Sequence, residues 1–490
     1  MKFYTNVQLD WDGILYRGVD GDQRITKKVN YKPSLFVPVK GQTKYKTLDG
    51  NYVERIQHQS VADAREWVKE YEEYSNSSYY GNKQYQYTFI SDNFPGHIDY
   101  NISQIVIANL DIEVASENGY ATVDNPNEKI IAITVKAKNR FYVFGCGDYT
   151  SPKDRENIYY FKCDSELDLL DKFLTQWERL MPDIITGWNV AFYDIPYLIN
   201  RITNLLGEDV AKRISPWKKF SQRTVILMGK QHTVFDIVGI GILDYLEMYK
   251  KFPPPNINPE NYKLNTIAQL DLKKEKINYD EYANLYELYT HNYQKFIEYN
   301  IRDVELVDEL EAKHKLIEMV LSIAYDAKVN YNDVFTQVRM WDTIVYNALR
   351  ERNIVVPQKK RNTKDSAYAG AYVKEPQIGM HKWVVSFDLN SLYPKLIEMY
   401  NISPETLVPH KHRTLDLEKL LNKEYDFAYL SEENLAIAAN GHHFSRAKQG
   451  FLGAIMAKMY DDRVVYKKKQ IEAEKNLEAV NLELKKRGLL

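Results

Sequence analysis

Over residues 1–100 apolar and polar positions alternate in short runs, FYTNVQL, ILYRGVD and KPSLFVPV, with turn sequences between them. That alternation predicts strands, and VADAREWVKEYEEY predicts a helix beside them. The start of the chain therefore reads as a small α+β domain. At SQIVIANLDIEVAS the pattern changes, with Ile105, Val106 and Ile107 forming a continuous apolar run before alternation begins. Strands are expected at KIIAITVKAK, RFYVFGCGD and DIITGW, and helices at DLLDKFLTQWERLM and YDIPYLINRI. Strands alternating with amphipathic helices predict a three-layer α/β domain. It closes in a helical region where Leu316, Met319, Val320 and Ile323 keep the helical period. The stretch PQKKRNTKDSAYAGAYVKEPQIG reads as a boundary. A strand, KWVVSFDL, is expected after it, then a long helix from about Ala454, basic at residues 467–469 and 485–487.

A chain of 490 residues exceeds one ordinary core, so three or more domains are expected. The two cysteines, Cys146 and Cys163, form no Cys-x-x-Cys motif, which argues against a disulfide framework or a zinc knuckle. The opening MKFYTNVQLDWDG carries no apolar signal segment, and no apolar run is long enough to cross a bilayer. A cytoplasmic location, with no membrane partner, is the expectation. The net charge of −2 neither points to nucleic acid nor excludes it, because carboxylate-rich sites can offset local basic surfaces.

Three motifs carry chemistry. In NLDIEV, Asp111 and Glu113 stand two apart on a strand, so both carboxylates share a face while Leu110, Ile112 and Val114 turn to the core. Such a pair is the start of a site for Mg²⁺ or Mn²⁺; alone, it is more often a solvated strand face. In GWNVAFYDIPYL, Asp194 precedes an apolar helix and by itself reads as a helix cap. In EYNIRDVELV, Tyr299 and Asp303 lie one helical turn apart on one face.

Together and in this order, the three resemble the exonuclease motifs of the DEDDy proofreading nucleases. The resemblance implies an RNase H-like 3′→5′ exonuclease. Phosphodiester hydrolysis there uses two ions roughly 3.5–4 Å apart, with Asp111, Glu113, Asp194 and Asp303 as ligands. Tyr299 would orient the attacking water, and Asn189 would steady the DNA strand.

VVSFDLNSLYPKLI resembles motif A of the B-family DNA polymerases. This implies that Asp388 and the Leu389 carbonyl face two catalytic ions. Backbone N–H groups of Ser391, Leu392 and Tyr393 would cradle the triphosphate of a dNTP, and the Tyr393 ring would exclude a 2′-OH. AYAGAYV, with Tyr368 and Gly370, resembles a template-contacting element of that family. KQGFLGAIMAKMYDDRVVYKKK resembles the first fingers helix, with Arg463 and Lys467 gripping the triphosphate and Gly453 where the family has proline. The stretches GWN…YDIPYLINR, ILDYLEMYKKF, WDTIVYNAL and NISPET favour the replicative polymerases of T-even-type phages.

The expected layout is an N-terminal domain at 1–104 with 317–360 packing back on it. The exonuclease follows at 105–316, a partial palm at 361–445 and the fingers helix at 446–490. Two elements of the family are missing from the sequence: the K-x₃-N-S-x-Y-G motif and the D-T-D-S motif with its second palm carboxylate. The resemblance therefore implies a split polymerase. Its partners are primer–template DNA, a single-stranded 3′ end, dNTP and a C-terminal polymerase fragment on a second chain. A sliding clamp and RNA are further partners of the group. The competing readings are a stand-alone DEDDy exonuclease with a vestigial palm and a non-catalytic nucleic-acid-binding module.

Overall fold

The computed structural model describes residues 1–74, 78–115, 117, 121–227, 229–255, 257–359 and 373–489. They form two compact units of mixed α/β structure.

The larger unit spans Met1–Pro33, Gln57–Tyr74 and Lys83–Ile344. Its centre is a six-stranded mixed sheet in the order Ile158–Lys162, Arg140–Gly145, Ile130–Ala137, Ile107–Val114, Ile184–Thr186, Gly241–Ile242. The strand Ile107–Val114 runs antiparallel to Ile130–Ala137 and parallel to Ile184–Thr186. Alternation along it builds the layers. Ala108, Leu110 and Ile112 share a core with Leu170, Phe173 and Trp177 of the helix Glu166–Leu180 and with Ile195 and Leu198 of the helix Asp194–Leu206. The other face packs Ala132 and Val143 against Phe296, Ile297, Ile301 and Val304 of the helix Tyr293–His314. Asp111 and Glu113 belong to this second face.

A three-stranded sheet, Lys2–Leu9, Ile14–Asp20 and Gln23–Val29, completes the unit. It is bound to the six-stranded sheet by a buried ion pair. Arg17 meets Asp183 at 3.1 Å, both side chains 2% exposed. The same guanidinium donates to the carbonyls of Met181, Pro182 and Gly239. Asp183 also accepts from the Thr5 hydroxyl and the Val106 N–H. On the other side Tyr4 donates to the Val329 carbonyl at 2.6 Å, and Asn330 exchanges two hydrogen bonds with the Val7 backbone.

The smaller unit comprises Ser34–Ile56, Ser75–Asn82 and Val345–Leu490. A helix Leu392–Met399 packs on the long helix Phe451–Lys486. The start of the long helix is set by side chains of the NISPET segment. Asn401 Oδ1 accepts the Gly450 N–H and Glu405 Oε1 the Phe451 N–H. This supplies orphan donors of the first turn with acceptors, so the helix starts without the family's proline. A Cβ on Gly450 would lie 2.5 Å from Ser403 Cβ, which is why only glycine fits against the cap.

One expectation fails here. KWVVSFDL is not a strand: residues 384–389 form no regular element and have no ladder partners among the described residues. Trp383, Val384, Val385, Phe387 and Leu389 are all exposed, Trp383 at 96%. The sequence has strand composition, but a strand exists only when neighbouring backbone pairs with it.

Candidate active site

Asp111 and Glu113 lie beneath the helix Tyr293–His314, and that helix supplies Asp303 to the same place. One carboxylate oxygen from each of the three lies within 4.8 Å of the others. This is no solvated strand face: Glu113 is 9% exposed and Asp303 4%. Asp194 stands beside the trio and outside it. It is the first residue of its helix, with Tyr193 at the cap position. Instead of capping, Asp194 Oδ1 accepts the N–H of Ile112 at 3.1 Å, which ties the helix start to the carboxylate strand. The turn before it is tight. A Cβ on Gly187 would sit 2.4 Å from the Leu110 carbonyl oxygen. Asn189 takes a left-handed conformation, φ 69°, and its carbonyl accepts from Phe192 and Tyr193. Asp244 fixes the turn from behind by accepting the Ala191 N–H at 2.9 Å.

Lys276 enters this cluster from a neighbouring loop. Its ammonium donates to Asp303 Oδ2 at 2.5 Å and to the Tyr299 hydroxyl at 3.1 Å. Tyr279 meets the Tyr299 ring edge-on at 5.4 Å. Asn300 donates from Nδ2 to Asp111 Oδ2 at 2.6 Å and accepts from the Thr134 hydroxyl at 2.5 Å.

The electrostatics follow from burial. Loss of water, then repulsion from Glu113 and Asp194, holds Asp111 well above the usual carboxylate range. Burial, then Asp303, pushes Glu113 up to about 8. Burial pushes Asp194 up to about 7 and raises Asp303 against the pull of Lys276. Burial acts to deprotonate Lys276, but Asp303 and Tyr299 outweigh it and keep the ammonium charged. Four carboxylates, three of them buried and Asp111 half-buried, thus face one ammonium. Asp303 Oδ1 is also buried without a hydrogen-bond partner. An all-oxygen donor set with excess negative charge fits hard divalent cations. Two such ions and one phosphodiester would neutralise the three uncompensated charges.

The polymerase-motif residues lie in the smaller unit. Asp388, Leu389, Leu392 and Tyr393 are exposed, and Ser391 takes a left-handed conformation, φ 54°, at the start of the helix Leu392–Met399. Arg463 and Lys467 are exposed on the long helix. Lys395, one turn into the shorter helix, lies 4.6 Å above the Tyr460 ring of the longer one. Tyr368 and Gly370 lie outside the described residues.

Lys276, Asn300 and Thr134 were not expected from sequence. Lys276 sits in the lysine-rich run LKKEKINYD, which looks like any solvated surface. Asn300 stands between Tyr299 and Asp303, and the helical register of that pair was the available signal.

Comparison with known proteins agrees with this arrangement. The sequence matches the family described as DNA polymerase family B, exonuclease domain, over residues 49–267. It matches DNA polymerase family B over residues 335–487. It is 33% identical to a DNA-directed DNA polymerase of Escherichia phage RB69 over 98% of this chain and 55% of the relative. Identity to a DNA-directed DNA polymerase of Enterobacteria phage T4 is 31%, with the same coverage. A DNA polymerase catalytic subunit of Alcelaphine herpesvirus 1 is 27% identical over 65% of this chain. The chain spans about half the length of the phage relatives it matches. No described helix is long and apolar enough to cross a membrane. With one family match covering Asp111, Glu113 and Asp194 and the other the motif around Asp388, the chain belongs to DNA polymerase family B.

Proposed function

We propose that this chain degrades DNA from the 3′ end and carries part of a DNA-synthesising centre. The observation that carries the first half is the cluster of Asp111, Glu113 and Asp303 joined to Lys276 and Tyr299. Its place on the six-stranded sheet supports an RNase H-like exonuclease over residues 105–316. Bound divalent ions, two per site, would activate water and stabilise the leaving 3′ oxygen. Asp111, Glu113, Asp194 and Asp303 hold them. Lys276 keeps the Tyr299 hydroxyl in place and offers a positive charge to the scissile phosphate. Tyr299 then orients the attacking water, and Asn189 steadies the strand. A single-stranded 3′ end is the substrate. The hairpin Phe220–Leu227 and Lys230–Ile237 would part the primer end from template, His232 lying 5.6 Å from the Phe192 ring beside Asp194.

For synthesis, Asp388 and the Leu389 carbonyl would face the ions. Ser391, Leu392, Tyr393, Arg463 and Lys467 would hold the dNTP, and Tyr368 and Gly370 the template. The exposed apolar residues 383–389 support a palm completed by other strands. These strands, with the second carboxylate, would come from polymerase segments that the 490 residues do not contain. The bonds from Tyr4 and Val7 to residues 329 and 330 support an N-terminal domain on which 317–360 fold back. RNA and a sliding clamp remain proposed partners.

The test is digestion of 5′-labelled single-stranded DNA by the purified chain with Mg²⁺ or Mn²⁺. Shortening from the 3′ end, lost in Asp111→Ala/Glu113→Ala, is expected. Undiminished activity in that double variant would overturn the assignment.

A further inference from the structure

We propose that Asn300, locked by Thr134, is a positioning residue that fixes which oxygen of Asp111 faces the metal cluster. The inference rests on the exonuclease reading above and concerns a residue pair outside its ligand set. Asn300 follows Tyr299 and precedes Asp303 by three positions, so it shares the inward face of the helix with Asp303. Both Asn300 and Thr134 are 0% exposed. Thr134 is the cross-strand partner of Asp111, and neighbours in that register point to one face of the sheet. The three side chains therefore form a row: hydroxyl, amide, carboxylate.

The direction of the row is dictated by donor and acceptor chemistry. Once a cation displaces its proton, the Asp111 carboxylate only accepts, so the amide presents its nitrogen to it. Its oxygen then faces Thr134, whose hydroxyl donates to it. Reversing the amide would set oxygen against carboxylate and break the bond to Asp111, while the Thr134 hydroxyl would turn to accept from the amide nitrogen. Asp111 Oδ2 is thereby held by a donor at 2.6 Å. Rotation of the carboxyl group is stopped, and Oδ1 is left for the cluster. Asp303 is held differently, by a charged lysine. A neutral amide at Asp111 orients the carboxylate without cancelling the charge that attracts a cation. Hydrogen-bond partners behind metal ligands typically change metal affinity by about 10–100-fold.

The test uses the full chain stripped of metal and titrated with Mn²⁺, free Mn²⁺ being read by electron paramagnetic resonance. Single-stranded DNA digestion is measured in parallel. Asn300→Leu keeps the volume and loses the donor. It should weaken Mn²⁺ binding by about tenfold or more and lower kcat while leaving KM for DNA within about twofold. Thr134→Val, which keeps the shape and loses the hydroxyl, should shift both in the same direction by a smaller factor, and Thr134→Ser should restore them. Unchanged Mn²⁺ affinity in Asn300→Leu would overturn the proposal, as would equal impairment by Thr134→Val and Thr134→Ser. If Asn300→Leu does not fold, the Thr134 pair decides alone. Wild-type protein that binds Mn²⁺ with these dependences but leaves DNA intact would defeat the exonuclease reading and support the positioning role.

Discussion

Replacing Glu113 by Gln should stabilise the metal-free protein while abolishing its exonuclease. In the folded chain burial, with Asp303 and Asp194 adding to it, moves this carboxyl from an ordinary 4.5 to about 8. A carboxyl whose folded value is raised binds its proton more tightly folded than unfolded. Stability is then lost as pH climbs from about 4.5 toward 8. Taken alone, 3.5 units at 1.36 kcal/mol each give a ceiling of about 4–5 kcal/mol at pH 8 and under about 1 kcal/mol near pH 5. Asp111, Asp194 and Asp303 share the repulsion, so a realised gain of about 2–4 kcal/mol is expected for Glu113→Gln at pH 8. That corresponds to a rise in Tm of roughly 5 °C. The assay is thermal unfolding in EDTA at several pH values, with hydrogen exchange of the strand Ile107–Val114 reporting on the local unit. Saturating Mn²⁺ should reverse the order, since the ions relieve the wild-type cluster and bind the variant poorly. A variant less stable than wild type at pH 8 in EDTA, or a gain independent of pH, would refute the reasoning.

Lys276→Met should lower exonuclease kcat by about 100-fold, the scale for losing one aimed donor, with DNA binding nearly intact; single-turnover digestion reads this. Deleting residues 225–234 should slow digestion of duplex ends more than of single strands, and equal slowing of both would remove the strand-separating role. DNA synthesis, measured by primer extension with the complementary polymerase fragment present, should stop in Asp388→Ala while digestion continues. In the same assay Tyr393→Ala should admit ribonucleotides, because the ring no longer fills the space of a 2′-OH.

Much of the nuclease half could be read from local pattern. Asp111 and Glu113 follow the period of a strand, and Tyr299 and Asp303 the period of a helix, so each pair declares a shared face before any tertiary contact is known. The hairpin Phe220–Leu227 and Lys230–Ile237 joins two β-rich runs of the sequence on either side of Gly229. Lys276 was not legible in this way, because nothing local separates a lysine paired with Asp303 from the lysines next to it. The cap on the long helix was hidden for a related reason: Asn401 and Glu405 are far in sequence from the N–H groups they accept. KWVVSFDL misled in the opposite sense. Its composition is that of a strand, yet pairing is a property of two segments, and composition reports only one.

The ion pair of Arg17 with Asp183 has a consequence for how this polypeptide can be cut or recombined. A fragment beginning at residue 105 would keep Asp183, with its backbone bond to Val106, but lose the guanidinium that also ties down three carbonyls on two loops. Leaving one member of a buried pair alone costs about 3–5 kcal/mol, enough to consume much of a typical domain's stability. Such a fragment should accumulate as insoluble protein, whereas one that also carries residues 1–104 keeps the pair. A genetic exchange that swapped only the N-terminal sheet would meet the same penalty unless the donor also carried an arginine at that position. The domain that carries the carboxylate cluster is therefore expected to move as one piece with the sheet that precedes it.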